Sequence, residues 1–217
     1  MSKKSIVLLS GGIDSTTTLY WAKHKGYSCF ALIFDYHQKH KKEIKAAKKI
    51  ASLSDTPFKI VKINLPQEGS SLLDENLEIP RKESRGIPST YVPARNIIFL
   101  SMATSFAEVL NCKFIFFGAN IIDYSGYPDC RPSFIKAFQR AINIGTKRGL
   151  KEKFVIKAPL LMMRKSEIIK LGFKLGVPFK YTWSCYRGEK KPCLICPSCR
   201  IRLKGFEEAG IKDPLLD

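Results

Sequence analysis

Short apolar runs alternate with amphipathic stretches along most of the chain. Lys4–Leu9 is rich in β-branched and leucine residues and stops at Ser10-Gly11-Gly12. It predicts a short buried strand. Ile13–Lys25 predicts a helix closed by Gly26, and Cys29–Asp35 a second buried strand with Phe-Ala-Leu-Ile-Phe at its centre. Lys41–Leu53 places Ile44, Ala47, Lys48 and Ala51 at helical spacing, and Phe58–Ile63 predicts a third strand. Pro93 starts a helix that runs to about Leu110. Lys113–Phe117, Pro132–Gly145 and Phe154–Ala158 then predict strand, helix and strand. Lys165–Gly176 predicts a helix with Ser166 as candidate cap, and Pro197–Ala209 the last helix. Between them, Asn64–Thr90 is polar, carries Pro66, Pro80 and Pro88, and predicts a long functional loop.

Strands alternating with helices predict an α/β fold with a doubly wound, parallel, five-stranded sheet. Ligands of such sheets bind outside the carboxyl ends of the strands. The expected organisation is an α/β nucleotide-binding domain over 1–180, with a cysteine-rich segment over 181–217 packed on it. The chain has 217 residues, 45% of them hydrophobic, enough for one compact core. The apolar run Ile6–Leu9 is too short for a secretory leader, and no stretch approaches the roughly 20 residues that span a bilayer. A soluble, cytoplasmic protein is therefore expected.

The formal net charge is +18, which favours anionic partners: nucleic acid, nucleotides or acidic substrates. Lysine-rich stretches such as Lys39-His40-Lys41-Lys42 read mainly as solvated faces. Few lysines stand beside the aromatic residues that a single-strand binding groove uses.

Ser10-Gly11-Gly12-Ile13-Asp14-Ser15-Thr16-Thr17 follows the first strand and opens the first helix. Its glycines let the backbone approach an anion, and the helix start offers amide donors and a positive dipole end. Ser10, Ser15 and Thr16 add hydroxyls. There is no Walker lysine. The string resembles the PP-loop of the ATP pyrophosphatase superfamily, which implies ATP binding, pyrophosphate release and AMP transfer. Leu9, Ser10, Gly11, Gly12, Asp14, Ser15 and Thr16 are the expected nucleotide contacts. An acid beside a polyphosphate needs a cation, so Asp14 is read as a Mg²⁺ ligand, direct or through water. Helix capping is the competing reading.

Seven cysteines are present. Cys185-x₇-Cys193-x₂-Cys196-x₂-Cys199 has the spacing of a closed structural zinc site. An iron–sulfur cluster is the competing reading.

Further strings are Phe34-Asp35-Tyr36-His37-Gln38, Tyr91-Val92-Pro93-Ala94-Arg95-Asn96, Gly118-Ala119-Asn120, Asp123 through Arg131, Thr182-Trp183-Ser184-Cys185-Tyr186, and Cys199-Arg200 to Gly205-Phe206. Together with the loop and the cysteines they resemble the 7-cyano-7-deazaguanine synthase family of the queuosine pathway, from about Ser5 to Pro214. The resemblance implies ATP-dependent conversion of 7-carboxy-7-deazaguanine and ammonia to the nitrile, through an adenylated carboxylate and then an adenylated amide. It implies one structural Zn²⁺, Mg²⁺ with ATP, a homodimer and, in the absence of a glutaminase segment, free ammonium as donor. On this reading Asp35 and Tyr36 lie near adenosine, and Asp14, Ser15, Arg95 and Lys165 form the catalytic set. Tyr91, Arg95, Asp123, Tyr127, Asp129 and Arg131 would meet the deazaguanine. Two alternatives remain at this point: a tRNA-modifying PP-loop enzyme and a zinc-ribbon nucleic-acid module. Direct nucleic-acid binding is not expected, because no separable RNA-binding domain is visible.

Overall fold

The computed structural model describes residues 3–81, 86–121 and 126–216. Its elements run β1 (Lys3–Leu8), α1 (Ile13–His24), β2 (Tyr27–Asp35), α2 (Lys42–Leu53), β3 (Phe58–Lys62), α3 (Arg95–Val109) and β4 (Phe114–Phe116). There follow α4 (Pro132–Gly145), α5 (Lys147–Lys151), β5 (Val155–Lys157), α6 (Lys165–Lys174) and α7 (Pro197–Ala209). Single 3-10 turns cover Pro128–Cys130 and Phe179–Tyr181.

The five strands form one sheet in the order β3-β2-β1-β4-β5, and every neighbouring pair is parallel. Strand alternation sorts the side chains onto two faces. Ile6, Leu8, Leu32, Phe34 and Ile115 pack with Leu100, Ala103 and Ala107 of α3 and with Ile135 and Ile142 of α4. Val7, Leu9, Ala31, Ile33 and Phe116 pack with Leu19 and Ala22 of α1 and with Ile44, Ala47, Ile50 and Ala51 of α2. Each fully buried Val, Leu, Ile or Phe among them contributes about 1.5–3 kcal/mol. Both faces being covered explains why the strands read as continuous apolar runs rather than alternating ones.

The strand order reverses between β1 and β4, so their carboxyl ends diverge and leave a crevice. Helix α7 joins a third cluster, in which Phe206 packs with Ile13, Leu160, Ile168 and Ile169. Ser166 does not cap α6. Arg164 holds the cap position, and the Glu167 carboxylate reaches back to accept its N–H at 2.7 Å. No helix among the described residues is long and apolar enough to cross a membrane.

Candidate active site

The crevice is a cleft of about 270 Å³, lined at one end by Ser10, Gly12, Asp14, Ser15 and Lys165, at the other by Tyr36, Arg95, Asn96, Tyr127 and Cys130, and by Glu43 of the first turn of α2, which packs on the loop at Gly11. The first end is built by the turn after β1. Ser10 and Ser15 Oγ atoms lie 3.0 Å apart, and the Ser15 hydroxyl also receives the Ser10 N–H at 3.2 Å. The first hydrogen bond of α1 runs from Thr16 N–H to Gly12 O at 3.1 Å. The amides of Ile13, Asp14 and Ser15 precede it and point out of the helix end, where the dipole is positive.

The two glycines serve different purposes. Gly11 has φ +81°, and a Cβ there would stand 2.5 Å from Ala47 N and 2.7 Å from Glu43 O. It lets the first turns of α2 abut the loop. A Cβ at Gly12 would meet nothing closer than 3.6 Å. Its bare Cα faces the cleft and leaves room for an anion.

Asp14 does not stand alone beside this anion site. Lys165 Nζ lies 2.7 and 2.6 Å from its two carboxylate oxygens, and Asn120 Nδ2 donates to one of them at 3.2 Å. Both oxygens already face a cation, so the set does not fit a direct magnesium ligand in this arrangement. Thr16 is fully buried, and its hydroxyl has no hydrogen-bond partner among the described residues. Leu9 lines the cleft as apolar wall.

At the other end, Arg95 opens α3 directly after Ala94, whose φ of 55° is left-handed. Such a non-glycine backbone costs of order 1–3 kcal/mol and turns the chain sharply into the helix. Tyr91 Oη accepts the Ala94 N–H at 3.2 Å. The Arg95 guanidinium donates to Tyr36 Oη at 3.3 Å and sits 5.9 Å from that ring. Tyr127 lines the cleft and pairs its hydroxyl with Thr90 Oγ1 at 3.1 Å.

Three expected substrate contacts do not line the cleft. Asp129 is 3% exposed, and its Oδ2 accepts the Asn96 N–H at 3.0 Å in the first turn of α3. That oxygen serves a helix end, whereas Oδ1 is buried and has no hydrogen-bond partner among the described residues. Arg131 is exposed at the start of α4, and Tyr91 lies with its ring 6.1 Å from that of Tyr127. Asp123 lies outside the described residues. Asp35, expected near adenosine, is also off the cleft and lies 3.9 Å from Lys41 Nζ.

Glu43, His40, Asn96 and Trp183 line the cleft without having been singled out from sequence for this role. Glu43 is the lone acid of α2, a signal that the surrounding lysines obscured. Burial pushes its carboxyl up to about 7, against the pull of Arg95, and Cys185 adds to the rise. Burial lowers the His40 imidazole, so a neutral ring borders this end.

The sulfurs of Cys185, Cys193, Cys196 and Cys199 all lie within 4.8 Å of one another. Four ligands at about 2.3 Å around a tetrahedral Zn²⁺ stand about 3.8 Å apart, so the cluster fits a metal with small adjustment. Backbone N–H groups of Cys193 and Cys196 donate to Cys185 and Cys193 sulfurs at 3.4 Å each, as thiolates attract donors. The cluster touches the anion loop through Trp183, whose N–H donates to Gly11 O at 2.9 Å and whose Nε1 donates to Cys185 O at 2.8 Å.

Comparison with known proteins places this geometry. The sequence profile of the queuosine biosynthesis protein QueC matches residues 4–210. A 7-cyano-7-deazaguanine synthase of Thermoplasma volcanium is 52% identical, covering 99% of this chain and 91% of the relative. Another from Trichodesmium erythraeum is 49% identical, covering 98% of this chain and all of the relative. Among solved structures, NMN synthetase of Francisella tularensis superposes with TM-score 0.56 at 15% identity, over 97% of this chain and 79% of that one. A predicted subunit of tRNA methyltransferase from Methanocaldococcus jannaschii gives 0.53 at 16%, over 97% and 89%. At such identities the structural likeness speaks for the fold, whereas the profile and the full-length relatives speak for descent: the chain belongs to the QueC family of queuosine biosynthesis proteins.

Proposed function

We propose that the chain is a cytoplasmic carbon–nitrogen ligase that converts 7-carboxy-7-deazaguanine, ammonia and ATP to 7-cyano-7-deazaguanine. One observation carries the reading: a single cleft joins an anion-binding helix end to a half-buried arginine with aromatic neighbours. ATP lies with its phosphates on the α1 amides, the Ser10 and Ser15 hydroxyls and Lys165. Arg95 holds the substrate carboxylate, and Tyr36 and Tyr127 border the ring system.

The carboxylate oxygen attacks the α-phosphorus, the bond to the β-phosphate oxygen breaks, and pyrophosphate leaves. Charge builds on phosphate oxygens, and the α1 amides, Lys165 and Arg95 are the groups assigned to stabilise it. No covalent nucleophile is needed, because positioning and charge stabilisation suffice. Ammonia displaces AMP to give the amide. The same site then adenylates the amide oxygen, and loss of AMP with the nitrogen protons leaves the nitrile. ATP enters as its magnesium complex. Cys185, Cys193, Cys196 and Cys199 would hold one Zn²⁺, which ties their segment together and takes no part in the reaction.

The test is incubation with 7-carboxy-7-deazaguanine, ammonium, Mg²⁺ and ATP, followed by mass spectrometry. The nitrile, AMP and pyrophosphate are expected. ADP as the nucleotide product, or no nitrile from a folded and metal-loaded protein, overturns the reading.

A further inference from the structure

Among the described residues, two carboxylates line the cleft, Asp14 and Glu43. Asp14 is engaged by Lys165 and Asn120. The Glu43 carboxylate takes part in no hydrogen bond or salt bridge among the described residues, and the opposite charge acting on it is Arg95. The packing at Gly11 presses the first turn of α2, and so Glu43, against the anion loop. Nearby lysines are occupied elsewhere. Lys39 Nζ donates to Leu77 O at 2.6 Å, and Lys42 Nζ donates to Lys190 O at 3.2 Å while lying 4.8 Å from the Trp183 ring.

A cleft built for two anions, a triphosphate and a carboxylate, thus keeps, among the described residues, an acid with no hydrogen-bond or ion-pair partner under the influence of the arginine assigned to the carboxylate. A small cation with several N–H donors matches that acid in charge and size. We infer that Glu43 binds the ammonium ion and serves as the base of the amide-forming step, an assignment that rests on the reaction proposed above. Glu43 takes one proton from ammonium. The freed nitrogen lone pair forms the C–N bond at the acyl carbon, and the C–O bond to AMP breaks with its electron pair on the phosphate oxygen. The proton shed by the new amide nitrogen and the proton on Glu43 pass to water. A carboxyl raised toward neutrality by burial suits such a transfer.

Glu43→Gln tests this, with hydroxylamine as a second nucleophile. Hydroxylamine is neutral at pH 7 and needs no base to free its lone pair. Nitrile or amide formed from ammonium and hydroxamate formed from hydroxylamine are measured on the same protein. The ratio of ammonium-dependent to hydroxylamine-dependent kcat/KM is expected to fall about a hundredfold in E43Q. A ratio equal to that of the parent, whether both rates persist or both decline together, overturns the assignment. A parent protein that releases no AMP with either nucleophile overturns the proposed reaction instead, so the two failures are distinct.

Discussion

Lys165 reaches Asp14 because position 205 carries no side chain. A Cβ on Gly205 would lie 2.4 Å from Lys165 Cγ, so α7 gives up a side chain to let the lysine stem pass. The ion pair itself is partly exposed, and pairs of that kind contribute at most about 1 kcal/mol to stability. Its value is therefore sought in catalysis. With the lysine gone, the Asp14 carboxylate would face an incoming triphosphate unneutralised, and a donor for developing phosphate charge would be lost. Lys165→Met is expected to lower kcat/KM for ATP by about a hundredfold while leaving the melting temperature nearly unchanged. Pyrophosphate release over an ATP titration, with a thermal melt of the same sample, reads both quantities. Retained kcat/KM would assign the lysine to scaffolding alone.

At the scale of elements, the entry to α3 decides where Arg95 points. Ala94 is left-handed, no side chain of the cap residue itself satisfies the helix end, and the missing acceptor comes from Asp129 in the 3-10 turn after β4. Asp129→Ala should cost about 1–2 kcal/mol, the usual loss of a cap, and lower the melting temperature by roughly 2–8 °C. It should also weaken substrate binding through Arg95 rather than by direct contact, so KM for the carboxylate should rise while substrate analogues lacking the carboxylate bind as before. Competition by such an analogue, measured beside the melt, distinguishes this from the direct purine contact that the sequence suggested. The strands and most helices were legible because local apolar runs and glycine stops specify them. The phosphate loop was legible for the same reason, since Ser10–Thr17 is contiguous. Asp129 was not, because its partner is the Asn96 amide 33 positions away and nothing in the neighbouring residues announces it. Glu43 was hidden likewise: its burial depends on the close approach of α2 to Gly11, whereas the lysines around it suggest a solvated face.

For the whole molecule, the central question is why a parallel α/β fold of this family should carry a four-cysteine cluster. Ala46 of α2 packs in one apolar cluster with Trp183, Cys185, Cys196 and Cys199, and Trp183 hydrogen-bonds both Gly11 and Cys185. The segment is anchored again by Arg202, which is 4% exposed, pairs with Asp213 at 2.6 and 2.8 Å and donates to Thr182 Oγ1 at 2.9 Å. A buried guanidinium so fully hydrogen-bonded fixes α7 against the 179–184 stretch even without a metal. The ion is thus expected to stabilise mainly the 185–199 loop and, through Trp183, the backbone of the anion turn. If even a quarter of the ~10–16 kcal/mol seen for structural zinc appears here, its removal should lower the melting temperature by roughly 5–15 °C. Chelation, or Cys196→Ser, should therefore weaken ATP binding together with stability, although no cysteine of the cluster faces the nucleotide in the proposed mode. Calorimetric titration of ATP into metal-loaded and metal-stripped protein, below the melting transition of both, is the deciding measurement. A stripped protein that melts early yet binds ATP with the same Kd would confine the metal to holding its own loop and would break the link through Gly11.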